Sequence, residues 1–530
     1  MFRARHRRRA LAAQSLLFRG GLALAVALLP LPAIAAVSAP AAGHPATESV
    51  AAAIKASAGG SLKAFYRTRG YWPLWIKDGA LTPAADALIA SISSADLDGL
   101  NPRRYSPEKL RALVEEARGA SPAMLARAEL HLSKVFAEYV ADVRSAPSVK
   151  ITYLDRELEP HRLTAADVLR AAALAPSFTD YVDHAGWMSP LYTRLRTALG
   201  DYRARWDDLP RIAIPPGAIL RTGAKGDRVR LLRQRLGLPG GAVFDKALAA
   251  RLRAFQADHG LAADGIAGEK VIAALARSPE YYERLIRLNL DRTRLLPGAW
   301  TRHIVVDAES ARLWLYQDGK QQDTMRVIVG KPTEQTPMLA GMMRYAILNP
   351  YWNVPSDLVQ NRIAPKVLGG ASLKSMDYEA LSGWNAGAQV LDATTIDWAA
   401  VAAGQAEARV RQLPGADNAM GRMKFMFPND LGIYLHDTPD KALFNKGTRH
   451  FSSGCVRLED APRLGKWLFG TPLKPQSDAP EQQIALPQPV PVYLTYLTVV
   501  PSEKGIAFLD DTYGRDGDAG AGAGRTAGRD

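Results

Sequence analysis

Cysteine is nearly absent: Cys455 is the only one in 530 residues. No disulfide within the chain can form, so its fold rests on burial and hydrogen bonding. Nor does any dense run of Lys and Arg occur with interleaved aromatics, which speaks against nucleic-acid binding despite a formal charge of +14. Hydrophobic residues make up 47% and charged residues 23%, a balance that leaves little room for a largely disordered chain or a multi-span membrane protein. What the sequence does have is length. At roughly 100–200 residues per domain, two to four domains are expected.

The amino end carries Arg3, Arg5, Arg7, Arg8 and Arg9, then an apolar run over residues 20–32, then Ala33-Ile34-Ala35. A basic head, an apolar middle and a small-residue site predict a secretory signal peptide over residues 1–35. The alternative is an uncleaved anchor, since residues 20–37 approach the ~18 apolar residues needed to span a bilayer. Six positive charges lie in residues 1–35, leaving +8 on the remainder, which suits an anionic polymer or a membrane surface.

Residues 36–60, rich in Ala, Gly, Ser and Pro, read as a linker. Apolar spacing over 61–209 predicts a helical domain, with Tyr66, Tyr71, Trp72 and Trp75 in its core. A small helical module follows over 218–278, where Val229, Leu232 and Leu236, then Leu248, Leu252 and Phe255, recur at helical spacing. From residue 296 the pattern changes to short strands at 303–307, 312–316, 324–329, 343–348, 424–427 and 432–436. Asp318-Gly319 between the second and third is a hairpin signal. The reading is therefore an α+β multidomain protein: a helical scaffold, a small helical module, and a β-rich domain over 296–475 with a more helical, lid-like insertion near 355–420. A carboxy-terminal extension over 476–510 and a disordered tail over 511–530 complete it.

Chemistry concentrates in Ile433-Tyr434-Leu435-His436-Asp437-Thr438 and Phe451-Ser452-Ser453-Gly454-Cys455-Val456-Arg457-Leu458. An exported lone thiol flanked by Ser-Ser-Gly and Arg is a candidate nucleophile, and a nucleophilic thiol needs a base or positive potential beside it. His436, ending a strand, and His450, five residues before the cysteine, both qualify on chemistry alone. Gly454 allows close backbone approach, so amides at Gly454 and Cys455 are candidate oxyanion-hole donors. Glu459-Asp460-Ala461-Pro462 reads as a capped helix start that directs positive potential toward the cysteine. Zinc would require three or four ligands, and these residues have no standard metal spacing, so no metal is expected.

The histidine followed by a short loop and Ser-x-Gly-Cys-x-Arg resembles the signature of the L,D-transpeptidase catalytic domain. Asn349-Pro350-Tyr351-Trp352-Asn353-Val354-Pro355, residues 421–429 and Gly70-Tyr71-x-Pro73-Leu74-Trp75 resemble the large periplasmic branch of that family. The pattern Phe255-Gln256-x-x-His259-Gly260-Leu261-x-x-Asp264-Gly265-x-x-Gly268 resembles a peptidoglycan-binding repeat. The resemblance implies Cys455 as nucleophile and His436 as base, with Tyr434, Ser453 and Arg457 at the substrate. The implied partners are a peptidoglycan tetrapeptide donor and a diaminopimelate acceptor. D-alanine would leave through a cysteine thioester, a 3→3 cross-link would form, no cofactor would be needed, and carbapenems would acylate Cys455. The implied location is the periplasm, or the inner membrane if the signal is retained, with peripheral association to wall or membrane. Many family members have Ser-His-Gly-Cys where this chain has Ser452-Ser453-Gly454-Cys455, so a second site histidine is missing. Hydrolysis or lipoprotein anchoring through the same acyl-enzyme, and a wall-binding scaffold without catalysis, remain the alternatives.

Overall fold

The computed structural model describes residues 45–145, 149–385, 387–502 and 505–517. The signal peptide over 1–35 lies outside the described residues. Among these residues no helix is long and apolar enough to cross a membrane.

The helical half opens with Pro45–Ser57, inside the stretch expected to be a linker. The correction has a simple cause: Val50 and Ile54 stand at i and i+4, and both are fully buried. The long helix Pro122–Val143 runs through the centre of this half, capped by Ser121 on Met124 N. Its buried Glu129 accepts the amides of Leu74 and Trp75 at 2.6 and 3.0 Å, and Ser133 takes the Trp75 indole N–H at 2.9 Å. The aromatic cluster thus serves packing: Tyr66 and Trp75 are completely buried, while Tyr71 and Trp72 are partly covered. Helices Asp227–Arg235, Lys246–Asp258 and Glu269–Ala276 form the small module. Its Val229, Leu232, Leu248 and Phe255 belong to one apolar cluster with the helices before it and with Val499 and Ile506.

The β half is a mixed ten-stranded sheet whose pairings run back on themselves. Met423–Met426 pairs with both Leu339–Leu348 and Leu435–His436, which closes the ring. Closure leaves few free edges and places Val327, Val329, Phe425, Leu435, Val456 and Leu458 in one interior cluster. At the predicted hairpin, Asp318 and Gly319 take φ values of 53° and 79°, with Gln317 opposite Lys320. Two positive φ values match the right-handed twist of the flanking strands.

Two sequence expectations are corrected here. Residues 476–510 include Gln482–Thr495, which pairs with His303–Asp307 on one side and Leu339–Leu348 on the other, so this stretch is a central strand of the sheet. Pro487 and Pro489 sit where the register shifts between Ala485 and Val490, the kind of bulge that tolerates a missing N–H. Residues 511–517 are packed, with Tyr513 and Asp516 buried. The insertion is richer in helix than in strand, as expected, and adds strands of its own. It holds a four-stranded sheet built from Trp352–Asn353, Tyr378–Leu381, Val390–Leu391 and Arg409–Gln412, with short helices around a separate core that includes Val359, Ile363, Trp398 and Val410.

Candidate active site

Leu435–His436 and Val456–Leu458 are parallel neighbours, with Leu435 opposite Val456 and His436 opposite Arg457. Side chains alternate along a strand, so Tyr434 and His436 share a face, and Cys455 and Arg457 share it across the pairing. Val456 N donates to Tyr434 O at 3.1 Å, which places Cys455 beside Tyr434 at the mouth of the strand pair. Tyr434 and His436 pack edge to face at 5.6 Å.

His436 is buried, and its Nδ1 lies 2.6 Å from the Asp437 carbonyl. A carbonyl can only accept, so Nδ1 carries the proton and Nε2 is left as the acceptor. Burial, reinforced by the Arg457 charge, pushes the ring down to about 3, which keeps it neutral at ordinary pH. The Asp437 carboxylate is occupied elsewhere: it accepts Arg422 N at 3.0 Å and pairs with Lys441 at 2.7 Å. The group orienting the imidazole is therefore a backbone carbonyl.

Cys455 is partly exposed. Its Sγ donates to Gly432 O at 3.3 Å, and the Tyr434 hydroxyl is also hydrogen-bonded to it. Burial pushes the thiol up to about 11, opposed by the Tyr434 hydrogen bonds and the Arg457 charge, so the resting thiol is protonated. Helix Ala461–Phe469 starts just after this strand, with Asp460 accepting Arg463 N at 3.0 Å.

The neighbouring residues do not all match their expected roles. Gly454 sits at φ 107°, and a Cβ there would meet Ile433 Cδ1 at 3.1 Å, so the turn excludes side chains. Its N–H, expected in an oxyanion hole, instead donates to Ser452 Oγ at 3.2 Å, and that hydroxyl donates to Cys455 O at 2.6 Å. A donor satisfied within its own turn is not aimed at substrate, so the contribution of Gly454 is conformational. Ser453, expected at the substrate, is hydrogen-bonded to the Glu334 carboxylate, which also pairs with Lys331 at 2.6 Å. His450 faces Ala308 O at 3.0 Å and packs against Tyr513 at 5.5 Å, away from the thiol. Arg457 lies 3.5 Å from Asp440 and within electrostatic range of both Cys455 and Arg362. Arg362, an exposed residue of the insertion, carried no sequence signal, because only folding brings it toward Arg457.

Comparison with known proteins follows this division. Residues 301–474 match the L,D-transpeptidase catalytic domain, residues 225–275 a family described as "Putative peptidoglycan binding domain", and residues 60–199 a scaffold domain. A Haemophilus influenzae protein described as "Putative L,D-transpeptidase" is 33% identical over 239 residues, which cover 44% of this chain and 48% of that one. The chain thus spans about half the length of this curated relative. Among solved structures, an L,D-transpeptidase from Mycobacterium smegmatis aligns at 14% identity and a TM-score of 0.18, covering 36% of this chain and 58% of that one. The L,D-transpeptidase of Xylanimonas cellulosilytica aligns at 15% identity and a TM-score of 0.15, covering 53% and 99%. Over residues 301–474 the chain is therefore similar to the L,D-transpeptidase catalytic domain.

Proposed function

We propose that this chain is an exported peptidoglycan transpeptidase that works through a thioester on Cys455. The observation carrying this reading is the neutral pair on one strand face: a protonated thiol, and an imidazole whose Nδ1–H is fixed on Asp437 O. From the strand spacing and rise, Cys455 and His436 are diagonal neighbours about 8 Å apart at Cα. That is within reach of side-chain proton transfer, directly or through one water.

In the proposed reaction, Sγ attacks the carbonyl of the third residue of a tetrapeptide stem while His436 Nε2 takes the thiol proton. The tetrahedral oxyanion collapses, the bond to the terminal D-alanine breaks, and His436 returns the proton to the departing amine. The side-chain amine of a diaminopimelate on a second stem then attacks the thioester, giving a 3→3 cross-link and restoring the thiol. With the Gly454 amide engaged by Ser452, the Cys455 N–H is the backbone donor for the oxyanion. Arg457 and the insertion's Arg362 supply positive potential for a substrate carboxylate.

The test is product analysis after incubation with a disaccharide-tetrapeptide, comparing the chain with Cys455→Ala. A 3→3 dimer together with free D-alanine, both absent from the variant, supports the proposal. Release of D-alanine with only tripeptide product shifts the reading to hydrolysis.

A further inference from the structure

The carboxy-terminal residues 511–516 lie beyond the stretch that matches the catalytic family, which ends at 474. They nevertheless reach the loop beneath the nucleophile. Tyr513 Oη donates to Gly330 O at 2.5 Å and accepts Thr336 N at 3.4 Å, while Gln335 Nε2 donates to Tyr513 O at 3.0 Å. Arg515 holds Gln335 Oε1 through Nε at 3.0 Å and through a terminal nitrogen at 2.7 Å, and reaches Thr336 O at 3.0 Å. Thr336 completes the chain of contacts. Its Oγ1 accepts Gly330 N at 2.9 Å and donates to Gly454 O at 2.8 Å, the carbonyl immediately before Cys455.

The segment is itself firmly held. Tyr513 stacks on Tyr496 at 5.0 Å, and the Arg515 guanidinium lies 5.2 and 4.8 Å from those two rings. Asp516 forms a buried ion pair with Arg292 at 2.8 Å, and Thr512 donates to Glu309 at 2.9 Å. Asp511 accepts the amides of Arg515 and Asp516 at 2.8 and 2.9 Å, which closes the turn. Arg292 belongs to helix Pro279–Arg294, so the segment is fastened to the helical half at one end and to the nucleophile loop at the other.

We propose that residues 511–516 are a strap that sets the position of the Cys455 turn, with Tyr513 and Arg515 as positioning residues acting through Gln335 and Thr336. The inference deepens the acyl-transfer reading and rests on Cys455 being the nucleophile. The strap carries no reacting atom. Its effect is to hold the Gly454 carbonyl, and thereby the direction of Sγ and the Cys455 N–H, before substrate arrives.

The experiment uses Tyr513→Phe and Arg515→Gln in the full chain, a chain ending at Gly517, and a chain ending at Asp510. Tyr513→Phe keeps the stacked ring and removes only the hydroxyl, so it remains informative if the shortest chain does not fold. Two readouts are taken. One is kcat and KM on disaccharide-tetrapeptide, normalised to the fraction of Cys455 that a carbapenem titrates. The other is the rate of Cys455 alkylation by iodoacetamide across pH, which is specific because this is the only thiol. The strap predicts kcat at least tenfold lower in both point variants with KM within twofold, and alkylation at pH 7 at least fivefold faster as the loosened thiol is solvated. The chain ending at Gly517 should match wild type. Unchanged alkylation together with unchanged normalised kcat in both point variants would overturn the strap. If wild type itself neither turns over nor is acylated, the transpeptidase reading fails, while the alkylation comparison still decides whether the strap positions the thiol.

Discussion

At the scale of single residues, the site is made of neutral groups. With the thiol pushed up to about 11 and the imidazole down to about 3, neither titrates between pH 5 and 9. The sign follows from the states needed: activity falls on the acid side only as His436 gains a proton near 3, and thiolate forms ahead of attack only near 11. We expect kcat/KM to stay flat within about threefold across pH 5–9, whereas a resting thiolate–imidazolium pair would show an acid limb inside that range. His436→Gln should lower kcat by about 10²–10⁴-fold, the usual worth of a positioned base, with carbapenem labelling slowed in parallel. Gly454→Ala forces a side chain into a left-handed conformation and against Ile433. The strain costs about 1–3 kcal/mol, which should appear as a lowered melting temperature together with lost turnover.

At the scale of elements, helix Pro122–Val143 carries a built-in pH dependence. Burial pushes Glu129 up to about 7, opposed by its hydrogen bonds from Tyr66, Leu74 and Trp75. A carboxyl raised on folding contributes stability that is complete below its unfolded value, near 4.5, and is lost as pH rises through about 7. Wild type should therefore lose stability on the order of 1 kcal/mol between pH 5 and 8 through this group. Glu129→Gln should flatten that slope in chemical denaturation measured at both pH values. Much of the secondary structure was legible because its signals are local. Asp318-Gly319 fixes a hairpin, Asp460 with Pro462 starts a helix, and the β-branched run Ile304-Val305-Val306 marks a strand. What was not legible depends on distant partners. The strand Gln482–Thr495 is obscured by Pro487, Pro489 and Pro491 and becomes a strand only because two neighbours flank it. The helix Pro45–Ser57 hides in an alanine-rich stretch whose Val50 and Ile54 acquire meaning against a core.

At the scale of the whole molecule, the small module is joined to its neighbours by more than a tether. His259 stacks between Phe255 at 3.8 Å and Phe508 at 5.7 Å, and Gly260 lies so close to the Phe508 backbone that no side chain fits there. The module shares one apolar cluster with the scaffold helices and the strands Val499–Ser502 and Gly505–Phe508. The helical half and the module should therefore unfold in one calorimetric transition, and Phe508→Ala, which removes a partly buried ring, should split or lower it by about 1–3 kcal/mol. The sequence singles out Cys455 and His436 by type and spacing, and folding sets them at a pair of neighbouring strands. The inward commitment of the Gly454 amide and the reach of Tyr513 to Gly330 were not legible, because both are set by contacts that no local pattern encodes.

The central claim is a covalent acyl-enzyme on Cys455, and intact-protein mass spectrometry during turnover of a disaccharide-tetrapeptide, followed by peptide mapping, tests it most directly. The account predicts a transient adduct with the mass of the disaccharide-tripeptide acyl group on the peptide containing Cys455, which decays when acceptor stem is added. Turnover with no adduct on that peptide, or turnover that persists in Cys455→Ala, would contradict it.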